Sequence, residues 1–470
     1  MLFDTFQYWV FFVIVATIFY SLPFRAGKLA LLVASYAFYM WWDVRFIVLI
    51  LASTIADFLL AILIESASGK QRKTLLIASL IVNLGLLGFF KYYNFFADSV
   101  AHILRLPANS LALRVILPVG ISFYTFASLS YTIDVYRRKL RAVRNLVDYA
   151  FFIAFFPHLI AGPIIRASRF LPQIHSWRRP SASTIHMGLI LVLVGLIKKV
   201  VFADRFAVVS DRYFANVAQN PGWLAAWSAA TVFALQLYFD FSGYTDIARG
   251  CAKLLGFEFP INFARPYLAI NAVEFWRRWH MTLTAWVRDY LFLPMVRKTR
   301  DPGRIFAALM LTMVLVGLWH GASWNFVVWG AYMGILIVAY RLSQRALADG
   351  AVGSFLGSRC MVPINVFVTL ALFEAGIVVF RANSFGDGVA VVSEMFNWAR
   401  GTGDNIFTTS LAALFFISFG LAVLEERHQL FERIATAAPH VQLAAYFVLL
   451  ASLELFSVAG DQTPFLYFQF

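Results

Sequence analysis

The chain alternates between long apolar runs and short polar breaks from end to end. The runs lie near residues 8–23, 29–42, 45–64, 74–90, 115–136, 148–165, 185–203, 224–247, 305–319, 323–341, 363–380, 409–424 and 441–460. A helix that crosses the hydrocarbon core needs about 20 apolar residues, and several of these runs are shorter or interrupted. The pattern predicts an all-α, polytopic membrane protein with about 11–12 transmembrane helices plus re-entrant segments. No internal repeat or soluble domain interrupts it.

Two runs depart from a plain crossing. Run 148–165 contains Pro157, His158, Gly162 and Pro163. These residues break a helix, and broken backbone at membrane depth is tolerated where protein or a watery cavity surrounds it. The run is therefore expected to enter and leave on the same side. His158 within it either lines a cavity or satisfies a freed backbone carbonyl. The second departure lies between Arg304 and Arg341, a stretch of 38 residues. One helix of that length would measure about 57 Å at 1.5 Å per residue, so two crossings are expected. His320 then falls at the break between them.

Charge adds an orientation. The sequence has 39 Lys and Arg against 25 Asp and Glu, a formal charge of +14. The basic residues gather in alternate breaks: Arg25 and Lys28; Lys70, Arg72 and Lys73; Arg137 to Arg144. With 148–165 re-entrant, Arg166, Arg169, Arg178 and Arg179 join the same side. Lys and Arg accumulate on the cytoplasmic face of bilayer proteins, which places the N-terminus outside the cytoplasm. The basic excess thus needs no nucleic acid partner. The stretch 248–304 holds ten basic residues and many aromatic ones, and is expected to lie at the cytoplasmic interface.

Composition narrows the chemistry. The chain is 61% hydrophobic and 14% charged, whereas soluble domains carry about 25% charged residues. Cys251 and Cys360 stand far apart without Cys-x-x-Cys or Cys/His spacing, so no metal site is expected. Phosphate-binding glycine loops and a Gly-x-Ser-x-Gly nucleophile elbow are absent from the sequence. The first run lacks the positive flank and cleavage site of a signal peptide, so it reads as a retained span. A polysaccharide synthase would need a large cytoplasmic nucleotide-sugar domain, for which no segment has room.

Two histidines stand in unusual settings. His320, in Leu318-Trp-His-Gly-Ala-Ser-Trp324, is either a general base at a helix break or an interfacial histidine of a Trp-rich belt. His280, in Glu274-Phe-Trp-Arg-Arg-Trp-His280, follows Arg277 and Arg278, which suit an anionic ligand. The alternative there is an ordinary amphipathic interfacial helix. Asp240 and Asp246, in Asp240-Phe-Ser-Gly-Tyr-Thr-Asp246, either bond into a polar core or mark a helix end.

Taken together, these segments resemble the membrane-bound O-acyltransferase family, most closely its alginate O-acetyltransferase branch. Pro118 to Phe126, Ser130 to Tyr136, Phe155 to Pro163 and the closing Pro464-Phe-Leu-Tyr-Phe-Gln-Phe470 carry the likeness as well. The similarity runs from about residue 110 onward. It implies a single membrane-embedded acyltransferase domain over 1–470. Peripheral N-terminal spans would occupy 1–110, a catalytic core 111–345 and C-terminal spans 346–470, with a funnel around two histidines. It also implies that His320 is catalytic and His280 its partner. Arg277 and Arg278 would bind the donor; Trp319, Asn325, Trp276 and Asp246 would support the site.

The activity implied is O-acetylation. An acetyl thioester, acetyl-CoA, would serve as substrate from the cytoplasm, with no bound cofactor. A periplasmic SGNH-type acetyltransferase would carry the group to a polysaccharide such as alginate. The expected location is the bacterial inner membrane, in contact with lipid. The competing expectation is a transporter or flippase for a glycan or acylated intermediate, acting without bond chemistry. Paired broken helices and inverted repeats would favour that alternative.

Overall fold

The computed structural model describes residues 1–107, 110–347, 350–403, 406, 408–457 and 465–466. Every regular element among them is helical. Most of the apolar runs coincide with a helix, while run 148–165 is broken. Among the described residues nine helices are long and apolar enough to span a bilayer: Val44–Ser66, Gly69–Ile103, Ala182–Ala215, Trp223–Leu254, Pro302–His320, Trp324–Ala346, Arg359–Arg381, Thr409–His428 and Pro439–Phe456. The protein is thus a multi-pass membrane protein. The first two runs form shorter helices, Phe6–Ser21 and Phe24–Met40, and Ile121–Tyr136 is short and almost wholly buried. Of the closing motif, Phe465 and Leu466 are described and the other positions lie outside the described residues.

Packing divides the chain into two compact units, 1–192 with 244–260 and 193–243 with 261–470. In the first, buried polar groups tie helices together. Asp57 accepts hydrogen bonds from Asn83 Nδ2 at 2.8 and 2.9 Å and from Ser79 Oγ at 2.7 Å. Lys28 forms an ion pair with Asp148 in the same unit. Such groups persist in an apolar interior only when their partners are supplied. The broken run behaves as its prolines suggest. Helix Leu146–Ala154 ends at Phe155, a short helix Phe156–Leu159 follows, and a turn at 160–162 with irregular backbone leads to Ala167–His175. His158 is buried and its Nε2 donates to the Phe152 carbonyl at 3.0 Å, so it satisfies a carbonyl released by the break.

In the second unit, helices Pro302–His320 and Trp324–Ala346 form a tight antiparallel pair. Asp301 caps the first, accepting from the backbone of Gly303 and Arg304, with Pro302 in the first turn. Ser323 caps the second. Only Gly321, Ala322 and Ser323 join them, so the 304–341 stretch is two helices with His320 as the last residue of the first. A side chain on Gly317 would meet the Phe326 carbonyl at 2.1 Å, and one on Gly330 the Met313 carbonyl at 2.4 Å. Glycine at both positions lets the two backbones touch, as small residues do at helix crossings in membranes.

Helix Trp223–Leu254 runs on past Asp240 and Asp246, so neither residue marks a helix end. The interfacial stretch is only partly helical. Residues 255–271 are mostly irregular, followed by short helices Ala272–Arg278 and Met281–Val287.

Candidate active site

The two singled-out histidines both pack against the indole of Trp319. His320 is buried and its ring lies 4.9, 5.3 and 5.4 Å from those of Trp319, Trp329 and Phe380. His280 is fully buried, with ring centroids 4.8 Å from Phe241 and 5.9 Å from Trp319. Trp319 is the sequence neighbour of His320, so its contact with His280, 39 positions away, is the one the fold creates.

Local backbone explains how His280 gets there. It sits between the two short helices with φ +40°, a left-handed conformation that most side chains avoid. Residues 262–264 run alongside and fix this turn: Ala264 N–H donates to the Arg278 carbonyl at 2.9 Å, and Met281 N–H to the Asn262 carbonyl at 2.8 Å. Strain held by surrounding bonds in this way is common at functional sites.

Asn262 also sets the protonation of the ring. Its Oδ1 accepts from the Thr282 backbone N–H at 3.2 Å and the Thr282 hydroxyl at 2.9 Å. A backbone N–H only donates, so that atom is the oxygen, and His280 Nδ1, at 3.1 Å, must carry the hydrogen. Burial pushes the His280 imidazole down to a pKa of about 3, so the ring is neutral at physiological pH. In this tautomer Nε2 is the acceptor nitrogen. Asn262→Ala is expected to remove the acceptor shared by the Thr282 N–H, the Thr282 hydroxyl and the His280 Nδ1–H, a loss of about 1–3 kcal/mol for a buried donor. A lowered melting temperature and an about ten- to hundredfold slower transfer should result; unchanged values in both assays would show that the Asn262 bonds do not matter.

A cavity of about 10 Å³ lies beside His320, lined by Leu237, Phe241, Trp279, Trp329, Phe373 and Phe380 among others. That holds about one water at most. A larger cavity of about 580 Å³ lies between the 324–346 and 362–381 helices and the 270–276 segment. Phe373 lines both cavities, and Trp276 of the larger one packs 6.1 Å from Trp329 of the smaller. Phe373 and the Trp276–Trp329 pair therefore form the partition between them.

The remaining expected site residues fall in different places. Arg277 is exposed. Arg278 is engaged by Glu274 at 2.7 Å and Glu426 at 3.1 Å, and Glu426 also pairs with Arg265. Asn325 is buried and donates from Nδ2 to the Ala382 carbonyl at 3.0 Å, fastening the start of its helix. Asp246 belongs to the first unit, where it pairs with Arg249 at 3.3 Å. Among the described residues no group of three or more His, Cys, Asp or Glu is placed to hold a metal ion.

The sequence profile of the membrane-bound O-acyltransferase family matches residues 40–376. The chain belongs to the membrane-bound O-acyltransferase family. It is thus an acyltransferase. A protein from Pseudomonas putida named probable alginate O-acetylase AlgI is 36% identical over 498 residues, covering 98% of this chain and 99% of its own. Its namesake from Pseudomonas aeruginosa is 38% identical, over 88% of this chain and 80% of its own. A peptidoglycan O-acetyltransferase from Helicobacter pylori is 35% identical, over 68% and 65% respectively. For a membrane-bound O-acyltransferase, a pair of buried imidazoles walled by aromatic rings is a site suited to acyl transfer away from bulk water. Sequence reasoning did not find Asn262, Phe241, Trp329, Phe373 or Phe380. The asparagine in Pro260-Ile-Asn262 was a findable signal, a polar residue just ahead of an aromatic-basic segment.

Proposed function

We propose that this membrane O-acyltransferase moves an acetyl group from a cytoplasmic thioester, acetyl-CoA, toward an extracytoplasmic polysaccharide such as alginate. It would act as a single membrane-embedded domain of the bacterial inner membrane, with its N-terminus on the periplasmic side. A periplasmic SGNH-type acetyltransferase would complete the transfer. The observation that carries this reading is that His280 and His320 both pack against Trp319, with His320 lining a small cavity.

Several features support the individual roles. The 580 Å³ cavity is lined by Ser343, Gln344 and Ser358 at one end and Phe373 at the other. The first three lie among Arg341, Arg345 and Arg359, in the break that the charge pattern assigns to the cytoplasm. The thioester would enter there and reach the histidines past Phe373. With Arg278 held by two glutamates, exposed Arg277 is the better placed of the two to attract its phosphates. His320 would take the proton of the acceptor hydroxyl as the carbonyl is attacked, or carry the acyl group itself. On the first route the leaving thiolate takes that proton; on the second it takes the N–H proton of the acylated ring, and the acceptor hydroxyl later returns a proton to the imidazole. His280, an acceptor at Nε2, suits the orienting role better than that of a donor to developing charge.

Purified protein in liposomes, given acetyl-labelled acetyl-CoA and the acceptor-side transferase with polymer, should release free CoA and label the polymer. Movement of a pre-acetylated intermediate across the liposome with no CoA release would instead establish the flippase alternative.

A further inference from the structure

Asp240 and the segment at Phe465–Leu466 belong to motifs that acyl transfer leaves unused, and the fold joins them. Lys199 Nζ lies 2.8 Å from Asp204 Oδ1 and 3.0 Å from Asp240 Oδ1. The other carboxylate oxygen of Asp240 accepts a 2.8 Å bond from the Leu466 backbone N–H. The Lys199 ammonium also stands 4.6 Å from the centre of the Phe465 ring. Lys199 and Phe465 are each 1% exposed, Asp240 and Leu466 each 3%.

One ammonium facing two carboxylates away from water is expensive unless further donors complete it. The Leu466 N–H supplies such a donor, and the ring of Phe465 covers the ammonium on another side. Withdrawing the segment would remove both at once. The segment is therefore held by charge and by a main-chain bond, in addition to its apolar side chains.

The place of this anchor matters. Asp240 is flanked on its helix by Leu237 and Phe241, both of which line the cavity beside His320. The Phe241 ring also stands 4.8 Å from that of His280. Phe239, the residue just before Asp240, stacks on Phe202 at 4.7 Å in an apolar cluster that also holds Val201 and Ala203.

We propose that Lys199 and Asp240 form a docking site for the segment carrying Phe465 and Leu466. Docking there holds the wall formed by Leu237 and Phe241 in register with His320. Lys199 and Asp240 are positioning residues in this scheme, since neither lines the cavity. The docking stands on its own geometry; its effect on turnover rests on the acyl-transfer reading.

The test uses the full chain with its exposed thiol removed by Cys360→Ser and a reporter introduced by Leu466→Cys, which keeps the backbone N–H. Adding Asp240→Asn removes the charge facing Lys199 and turns the charged acceptor of the residue-466 N–H into a weaker neutral one, and should speed modification of the reporter by a thiol reagent about tenfold or more. Leu466→Pro, with Leu466→Ala as the control for the side chain, removes the N–H together with the leucine side chain and leaves the ion pair intact. With the reporter moved to Phe465→Cys, it should expose that thiol comparably, so the result does not depend on Asp240→Asn folding. In the unlabelled enzyme, Leu466→Pro should lower kcat about tenfold with the donor KM unchanged, while Leu466→Ala stays near wild type. Equal protection of the reporter with and without these changes overturns the docking. Leu466→Pro with the kcat of Leu466→Ala overturns the positioning role. Thiol protection is read without any substrate, so failure of the acetyl-donor reading would leave the docking test intact.

Discussion

His320→Ala is expected to reduce acetyl transfer about 100- to 10,000-fold, the usual range for removing a general acid–base. The ring sits at the last residue of helix Pro302–His320, so an imidazolium formed there faces the partial negative charge of the helix end. Trp319, Trp329 and Phe380 pack around it and keep bulk water away. Alanine removes the imidazole and leaves those rings in place, so the protein should still fold and elute from size-exclusion as wild type does. His320→Gln is the companion variant: it keeps volume and hydrogen bonding but cannot take a proton at neutral pH. Both should be inactive in the labelled-polymer assay at matched protein amounts. Transfer by either at the wild-type rate would remove His320 from the chemistry.

Much of this architecture is legible from hydropathy because a lipid environment imposes one rule on every span. The break at His320 follows from length alone, since 38 residues are too many for one crossing and barely enough for two. The site was less legible. Phe373 and Phe380 lie on an apolar helix that also carries the outward-facing Phe367 and Leu372; sequence cannot tell a cavity-lining phenylalanine from a lipid-facing one. Lys199 reads as the basic end of a span, yet it is buried against two aspartates. Arg278 reads as an anion ligand, yet Glu426, 148 positions away, occupies it. Charges that pair over such distances are invisible until the fold brings them together. Asn262 was hidden for a different reason. Its importance lies in fixing a neighbour's tautomer, and irregular backbone carries no periodic signal to point there.

The counterpart to removing the imidazole is to move it. Gly317→Ala adds one methyl group, three residues before His320. That carbon would stand 2.1 Å from the Phe326 carbonyl oxygen and 3.0 Å from Gly330 Cα. Both are backbone atoms, so no side-chain rotation relieves the clash, and the two helices must separate. Overpacking of this kind costs about 1–3 kcal/mol or more. The damage to function should be larger than the damage to stability. Separating the helices displaces His320 from Trp329, its neighbour on the opposite helix, and a misplacement of about 1 Å can cost about 100-fold in rate. Gly334→Ala on the same interface is the control. There the nearest atom is the flexible Met310 sulfur at 2.8 Å, which can swing aside. The expected result is a lowered melting temperature in detergent and at least about a 100-fold loss of transfer per folded molecule for Gly317→Ala, with Gly334→Ala close to wild type. If Gly317→Ala matched wild type in both measurements, the histidine's placement would not depend on this helix crossing, and the cause would have to be sought in the rings around it.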